Sequence, residues 1–409
     1  VKSTPFATQD YIDLEERYGA HNYHPLDLVV AKAQGCWVTD VEGKRYLDCL
    51  SSYSALNQGH AHPRIIKTLI EQAQRVTLTS RAFRNDQLPL FCQELCELLG
   101  MERVLPMNSG AEAVETAIKA ARRWGYTRKG IPDGQAEIIV CTNNFHGRTV
   151  TIISASTDPD YRAHFGPFTP GFVVVPFGDA AALMQAITPR TCALLIEPIQ
   201  AEAGVLMPPP GYLKQAAEIC RRHRVLLLAD EIQTGLGRTG KLLECHHEGV
   251  TPDAVILGKA LSGGCYPVSA VAARDEVLAV FEPGSHGSTF GGNPLGCAVA
   301  RAALKVLQDE GLVERSARLG AAFLDRLAGL RSPHLKEVRG RGLLIGLELT
   351  SPARPFCEAL MHRGMLCKET HATVLRVAPP LVIDETELDF AYRQLAAVLG
   401  ADSTVGAAA

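Results

Sequence analysis

Asp253-Ala-Val-Ile-Leu-Gly-Lys259-Ala-Leu-Ser-Gly-Gly264 is the stretch whose reading decides the fold. The apolar run Ala254 to Leu257 reads as a short buried strand. Lys259 follows it, where the strand ends and the chain turns. In open α/β sheets that is where ligands bind. A lysine held there is desolvated, its pKa falls, and its free amine can form a Schiff base. A lone loop lysine is ordinarily a solvated surface charge, so the reading rests on its company.

That company begins upstream. Val225 to Ala229 is a second buried-strand run, and it ends in Asp230-Glu-Ile-Gln-Thr-Gly235. An acid and a lysine at the ends of two strands can face one cleft. The pair suits pyridoxal phosphate (PLP), whose aldehyde a lysine holds and whose protonated pyridine nitrogen a carboxylate balances. Taken alone, Asp230 is equally a turn acid or a helix N-cap.

Further strand runs are Glu137 to Cys141, Phe172 to Val175 and Ala193 to Ile196. Polar clusters follow strands at 143–148, 197–202, 230–233 and 258–259. In the first, Phe145 can stack on a planar ring and Arg148 can clamp a carboxylate; the plain alternatives are a core phenylalanine and a surface arginine. Short strands alternating with helices predict βα units and a mostly parallel sheet. Val104 to Met107 leads into Asn108-Ser-Gly-Ala-Glu-Ala113 and a helix expected over Val114–Trp124. A small-residue turn opening a helix offers free N–H groups to a phosphate. Ser109 reads equally as a plain N-cap, and neither nucleotide-binding glycine motif is matched.

On the N-terminal side the pattern predicts a helix over 9–18, stopped by Gly19. A polar loop, Gly19-Ala-His-Asn-Tyr-His-Pro25, follows, then a meander of strands at 28–32, 36–40 and 45–48. Residues 51–60, small and polar around Tyr53, suit backbone that approaches a ligand or a subunit interface. Helices are expected over 64–75 and 86–99. On the C-terminal side, His286-Gly-Ser-Thr-Phe-Gly-Gly-Asn-Pro294 is a glycine-rich loop before a helix over 295–307. A helix over 312–330, Gly340-Arg-Gly342, strands at 343–349 and 373–377 and a helix over 385–399 form an α+β set. The tail 401–409 reads as disordered.

The 409 residues suffice for two domains, and 46% hydrophobic with 21% charged residues is ordinary for a globular chain. A net charge of −3 gives no case for nucleic acid or an anionic membrane. No apolar run approaches a bilayer span, and Val1 to Phe6 carries no signal-peptide core. The twelve cysteines form no C-x-x-C pair and read as reduced thiols in a cytoplasmic protein. Cys245-His246-His247 has no second cluster to complete a metal site, so no metal is expected.

Assembled, these stretches resemble the class III (fold-type I) PLP-dependent aminotransferases, from about Tyr11 to Leu399. The Asp230 and Lys259 segments carry the resemblance to the family as a whole. The Tyr23 and Tyr53 segments resemble the branch acting on the δ-amine of ornithine. The resemblance implies an α/β fold with a large, mostly parallel-sheet PLP domain (51–300). A smaller α+β domain would be built from the N-terminal segment (1–50) and residues 301–409. It implies Lys259 as the Schiff-base lysine and proton carrier, Asp230 on the pyridine nitrogen and Gln233 on the ring oxygen. Phe145 would stack on the ring. Ser109, Gly110 and Ala111 would cradle the phosphate, with Ser288 and Thr289 reaching it from a partner subunit, which implies a homodimer.

For substrates, amino acids and 2-oxo acids such as 2-oxoglutarate, the resemblance implies Arg148 on a carboxylate and Tyr23 on the amino-acid end of ornithine. Tyr53 would line the pocket and Glu197 support it. Glu202 and Arg376 would act as a gate, the acid covering the arginine until a substrate carboxylate needs it. Two positions depart from the family. Ala201 stands where a glycine is usual, and an alanine re-aims Glu202 if positive φ is required there. His146 stands where an aromatic often follows the stacking phenylalanine. Another ω-amine donor (lysine, N-acetylornithine or 4-aminobutyrate) and a PLP racemase on the same fold remain the alternatives.

Overall fold

A computed structural model describes residues 6–400; the expected disordered tail lies outside the described residues. Near the N-terminus, β1 (Val30–Gln34), β2 (Trp37–Asp40) and β3 (Arg45–Asp48) make the expected antiparallel meander. The large sheet comprises β4 (Arg103–Met107), β5 (Glu137–Cys141), β6 (Phe172–Val175), β7 (Thr191–Ile196), β8 (Leu226–Asp230), β9 (Ala254–Leu257) and β10 (Ser269–Ala273). Its strand order is β4-β10-β9-β8-β7-β5-β6. The neighbours from β9 through β8, β7 and β5 to β6 pair parallel, while β10 runs antiparallel to both β4 and β9. The sheet is therefore mostly parallel. All residues of β7, β8, β9 and β10 are buried, as continuous apolar strands covered on both faces must be.

The C-terminal sheet consists of β11 (Leu335–Arg341), β12 (Leu344–Leu349), β14 (Lys368–Thr370) and β15 (Val374–Val377), in the order β11-β12-β15-β14. Between them in sequence, β13 (Met365–Leu366) leaves this sheet and pairs parallel with β3. The helix Leu312–Ala328 crosses tightly over the turn at 342: a Cβ on Gly320 would come within 2.2 Å of the Gly342 backbone.

Several expectations shift. The helix expected from Val114 begins at Gly110, so the small-residue turn is its first turn rather than its approach. Asp230 is the last residue of β8, not the first beyond it. β10, β11, β13 and β14 had not been expected. Residues 51–54 form a left-handed turn, with φ of 46°, 47°, 60° and 71° at Ser51, Ser52, Tyr53 and Ser54. None of the four is glycine, so each costs about 1–2 kcal/mol of backbone strain. Asp48 holds the turn's start by accepting from the Leu50 and Ser51 N–H groups, both at 2.9 Å.

Candidate active site

The C-terminal ends of β5, β7, β8 and β9 bring the four polar clusters to one edge of the large sheet. They enclose a cavity of about 180 Å³ lined by Phe145, His146, Glu197, Asp230, Gln233 and Lys259, with Gly110 and Ala111 at its rim. Two larger grooves of about 590 and 640 Å³ lie elsewhere on the surface, away from Lys259.

Lys259 follows β9 with a positive φ of 44°, the kind of local strain that persists where neighbours over-determine a conformation. Its ammonium has no hydrogen bond or ion pair among the described residues. Burial pulls its pKa below the usual lysine range; Glu202 works against that shift and Arg376 with it. Such a shift favours the free amine, the form that attacks an aldehyde.

Asp230 is 5% exposed. Its Oδ2 lies 2.7 Å from His146 Nδ1, and its Oδ1 accepts from the Ile232 N–H at 3.2 Å. His146 Nε2 is buried without a partner. The residue that departs from the aromatic pattern thus fixes the orientation of the cavity's acid. Its only sequence signal was adjacency to Phe145 at a strand end. Beneath them, Glu197 accepts from the Phe145 N–H at 2.8 Å. Burial first, and the Asp230 charge second, hold its carboxyl well above the usual range.

Ser109 does cap the helix Gly110–Trp124. Its hydroxyl accepts from the Glu112 N–H at 3.2 Å, and Glu112 accepts in return from the Ser109 N–H at 2.8 Å. That reciprocal cap occupies Ser109 and leaves the first-turn N–H groups of Gly110 and Ala111 open toward the cavity. Ser269 Oγ, at the start of β10, donates to the Ser109 carbonyl at 2.7 Å and ties the turn to the sheet. Ser288 Oγ accepts from Asn108 Nδ2 at 2.9 Å, and Thr289 beside it is exposed.

Beyond Phe145 a second hollow of about 410 Å³ opens, lined by Tyr161, Glu202 and His371 among others. Arg376, on β15, is fully buried. Its Nη1 donates to Glu202 Oε1 at 2.8 Å, its Nη2 donates to Gln233 Oε1, and its Nε is unpartnered. Tyr53 lies alongside, its ring centroid 5.2 Å from the guanidinium carbon. Despite its burial, Glu202 is held below the usual carboxylate range, with Arg376 the main cause of the lowering. Ala201 is buried without a positive φ, so alanine is tolerated there and Glu202 still reaches the arginine. Gln233 is turned toward Arg376, which had not been expected.

Arg148 is exposed and has no acid partner among the described residues; its guanidinium lies 3.7 Å from the Tyr161 ring centroid. Stacking of this kind holds a guanidinium in place while leaving its donors free. Tyr23 is 78% exposed. Its loop is anchored by Arg354, which donates to the His24 and Pro25 carbonyls at 3.0 and 2.6 Å, and by Lys368 on the His24 carbonyl at 3.1 Å.

Among the described residues no group of His, Cys, Asp and Glu could hold a metal ion. No helix there is long and apolar enough to cross a membrane.

Residues 18–399 match the sequence profile of the family Aminotransferase class-III. An ornithine aminotransferase of Brevibacillus brevis is 61% identical over 392 residues, 96% of this chain and 98% of its own length. The ornithine aminotransferase of Toxoplasma gondii, whose structure shows partial occupancy of PLP at the active site, superposes with a TM-score of 0.94 at 47% identity. That match covers 96% of this chain and 94% of the other. An acetylornithine aminotransferase from Elizabethkingia anophelis gives a TM-score of 0.88 at 48% identity, over 96% and 99%.

Proposed function

The chain belongs to the class-III aminotransferases, and from that premise we propose that it moves the δ-amine of L-ornithine to 2-oxoglutarate, giving glutamate 5-semialdehyde and L-glutamate. It is a PLP-dependent enzyme of that family. The chain's own residues fit the cofactor: a half-buried amine without a partner among the described residues, a buried carboxylate with a fixed orientation, and an open helix N-terminus border one cavity. Lys259, Asp230, Phe145, Gln233 and the Gly110 and Ala111 amides would hold it, with Ser109 setting the helix turn. When bound, PLP supplies an aldehyde for the amine and a pyridinium ring that draws electrons from the substrate carbon.

The residues divide the remaining work. Lys259 Nζ takes the proton from the substrate carbon that bears the reacting amine. His146 keeps the Asp230 carboxylate aimed into the cavity, and Glu197 holds the Phe145 backbone beside it. Arg148 and Arg376 are the two cations available to substrate carboxylates, and they are not equivalent. Arg148 is open, whereas Arg376 is closed off by Glu202.

That closure is the observation that carries the reading. With Glu202 on Arg376 at 2.8 Å, the α-carboxylate of a diamino acid stays at the outer hollow, near Tyr23 and Tyr53, and the far amine reaches Lys259. Glutamate needs its α-amine at Lys259, so its α-carboxylate must displace Glu202 from Arg376. A buried arginine tolerates that exchange because one carboxylate replaces another. Tyr23 together with this pair favours ornithine over N-acetylornithine and the other ω-amines, and a racemase would not need an acceptor 2-oxo acid.

We also assign residues 51–300 to a large domain and 1–50 with 301–409 to a small one, supported by the β3–β13 pairing. Exposed Thr289, beside Ser288, would complete the phosphate site of a second copy in a homodimer. Twelve unpaired cysteines suit the reducing cytoplasm.

The test is a half-reaction. The PLP-loaded protein receives L-ornithine without any 2-oxo acid, and pyrroline-5-carboxylate, the cyclised semialdehyde, is assayed. About one equivalent of product per site with loss of the PLP absorbance band is expected. No product with ornithine, but conversion by N-acetylornithine, lysine or 4-aminobutyrate, would move the substrate.

A further inference from the structure

We propose that Arg238, which neither lines the cavity nor touches Lys259, is a positioning residue for the substrate's carboxylate end, fixing where Arg376, Tyr53 and Gln233 stand relative to one another. The proposal rests on the reading of Arg376 given above and adds to it the part that holds the gate in place.

Arg238 is fully buried, and no carboxylate pairs with it among the described residues. Its two terminal nitrogens donate to neutral acceptors alone. Nη1 donates to the Leu343 carbonyl at 3.0 Å and the Pro379 carbonyl at 2.5 Å. Nη2 donates to Ser51 Oγ at 3.1 Å and Asn57 Oδ1 at 2.6 Å, and Nε has no partner. A buried cation without an acid is costly, and an apolar side chain of like volume would be cheaper. What the arginine adds is geometry, because its planar fork fixes several acceptors at set angles.

The acceptors belong to three distant parts of the chain, and each leads to the gate. Pro379 lies three residues after Arg376. Ser51 lies two residues before Tyr53, and its hydroxyl also donates to the Ala378 carbonyl at 2.6 Å. Asn57, whose Nδ2 donates to the Leu236 carbonyl at 2.9 Å, ties the left-handed turn to the loop that carries Gln233 and Arg238 itself. Leu343 brings in the C-terminal sheet, and its N–H donates to the Arg238 carbonyl at 3.0 Å. One side chain therefore joins the three segments that bear Tyr53, Gln233 and Arg376, without reaching the reacting atoms. Burial, and then the charge of Arg376, bring the Arg238 pKa down to about 9. The two arginines thus repel, which favours an anion at Arg376, whether Glu202 or a substrate carboxylate.

The test compares two amines on the PLP-loaded enzyme: L-ornithine and 1,4-diaminobutane, the same chain without the carboxylate. In Arg238→Lys, single-turnover half-saturation with ornithine is expected to weaken roughly 10- to 100-fold more than with 1,4-diaminobutane, with the PLP band per subunit retained. Equal losses with both amines, or no loss with either, overturn the proposal. Should Arg238→Lys not fold, Asn57→Ala opens the same clamp from its other side and is judged by the same ratio. Arg376→Lys is measured in parallel with L-glutamate. If it leaves the glutamate reaction intact, the reading of Arg376 fails and the proposal falls with it. If it impairs the glutamate reaction while Arg238→Lys leaves the ratio of the two amines unchanged, only the positioning role fails.

Discussion

β8 and β9 carry charge at both ends, and the two ends behave differently. At the C-terminal ends, Asp230 and Lys259 face a cavity of about 180 Å³. At the N-terminal ends lies a groove of about 640 Å³ lined by Arg128, Lys214, Arg221, Arg224 and Arg274. The second is larger and richer in cations, yet its side chains are solvated. Arg274 is 47% exposed and shared between Asp253 at 2.6 Å and Glu276 at 2.8 Å. Arg221 lies in the last turn of the helix Tyr212–Arg222 and Arg128 in the last turn of Gly125–Lys129, where cations offset the free helix carbonyls. The contrast teaches that charge density does not make a site. Charge drawn out of water does: Lys259 has no fixed partner among the described residues, and Asp230 is held in place by His146.

The largest effect expected at the C-terminal ends is from Lys259→Ala. It should abolish the PLP band and lower turnover by on the order of 10⁴-fold, read by absorbance and by product assay. Retained activity would erase the distinction between the two ends.

Next comes the gate. Glu202→Ala should raise reaction at α-amines relative to δ-amines by roughly tenfold. It should also destabilise the protein by about 3 kcal/mol, since Arg376 keeps Gln233 but loses its only carboxylate. Half-reactions with glutamate and ornithine, and urea unfolding, check both. An unchanged ratio removes the gate.

A smaller effect belongs to the turn Glu244–Glu248, which leads toward the N-terminal end of β9. Burial first, and Arg341 second, push His247 down to about 4, and its side chain is 21% exposed. A depressed pKa leaves stability intact above the unfolded value near 6.5 and removes it as pH falls toward the folded value. Between pH 7 and 5 the protein should lose about 2 kcal/mol more than His247→Gln does, measured by urea unfolding at each pH. Equal losses would mean that His247 is protonated in the folded protein.

Smallest of the set is Arg274→Ala at the solvated end. It should cost under about 1 kcal/mol and leave turnover unchanged, and a larger loss of activity would show that the far groove matters to the reaction.

Much of this was legible in the sequence because the apolar runs of β5, β6 and β9 are bounded by glycine and polar clusters. Lys259, Asp230, Glu202 and Arg376 were found as motif residues and the Glu202–Arg376 contact was implied by the resemblance, but His146 on Asp230 and Gln233 on Arg376 were not expected. β10 escaped notice because Ser-Ala-Val-Ala-Ala alternates nothing, and its place between β4 and β9 is a tertiary choice. His146 was read only as a departure from the aromatic pattern, and its partner Asp230 lies 84 positions away. Arg238 sits in a run of small residues, and no local pattern shows that an arginine there will be buried. Periodicity reports which face of an element is dry, not which distant acceptors a buried polar group will meet.

The left-handed turn at Ser51–Ser54 has a consequence for anyone seeking a hardier catalyst. Glycine substitution usually loosens a fold, but here the native backbone already occupies the region glycine prefers. Ser52 is exposed, so Ser52→Gly should raise thermal tolerance by up to about 1 kcal/mol, seen as a higher Tm. The same change would let Tyr53 drift, so robustness and substrate discrimination trade against each other at a single residue.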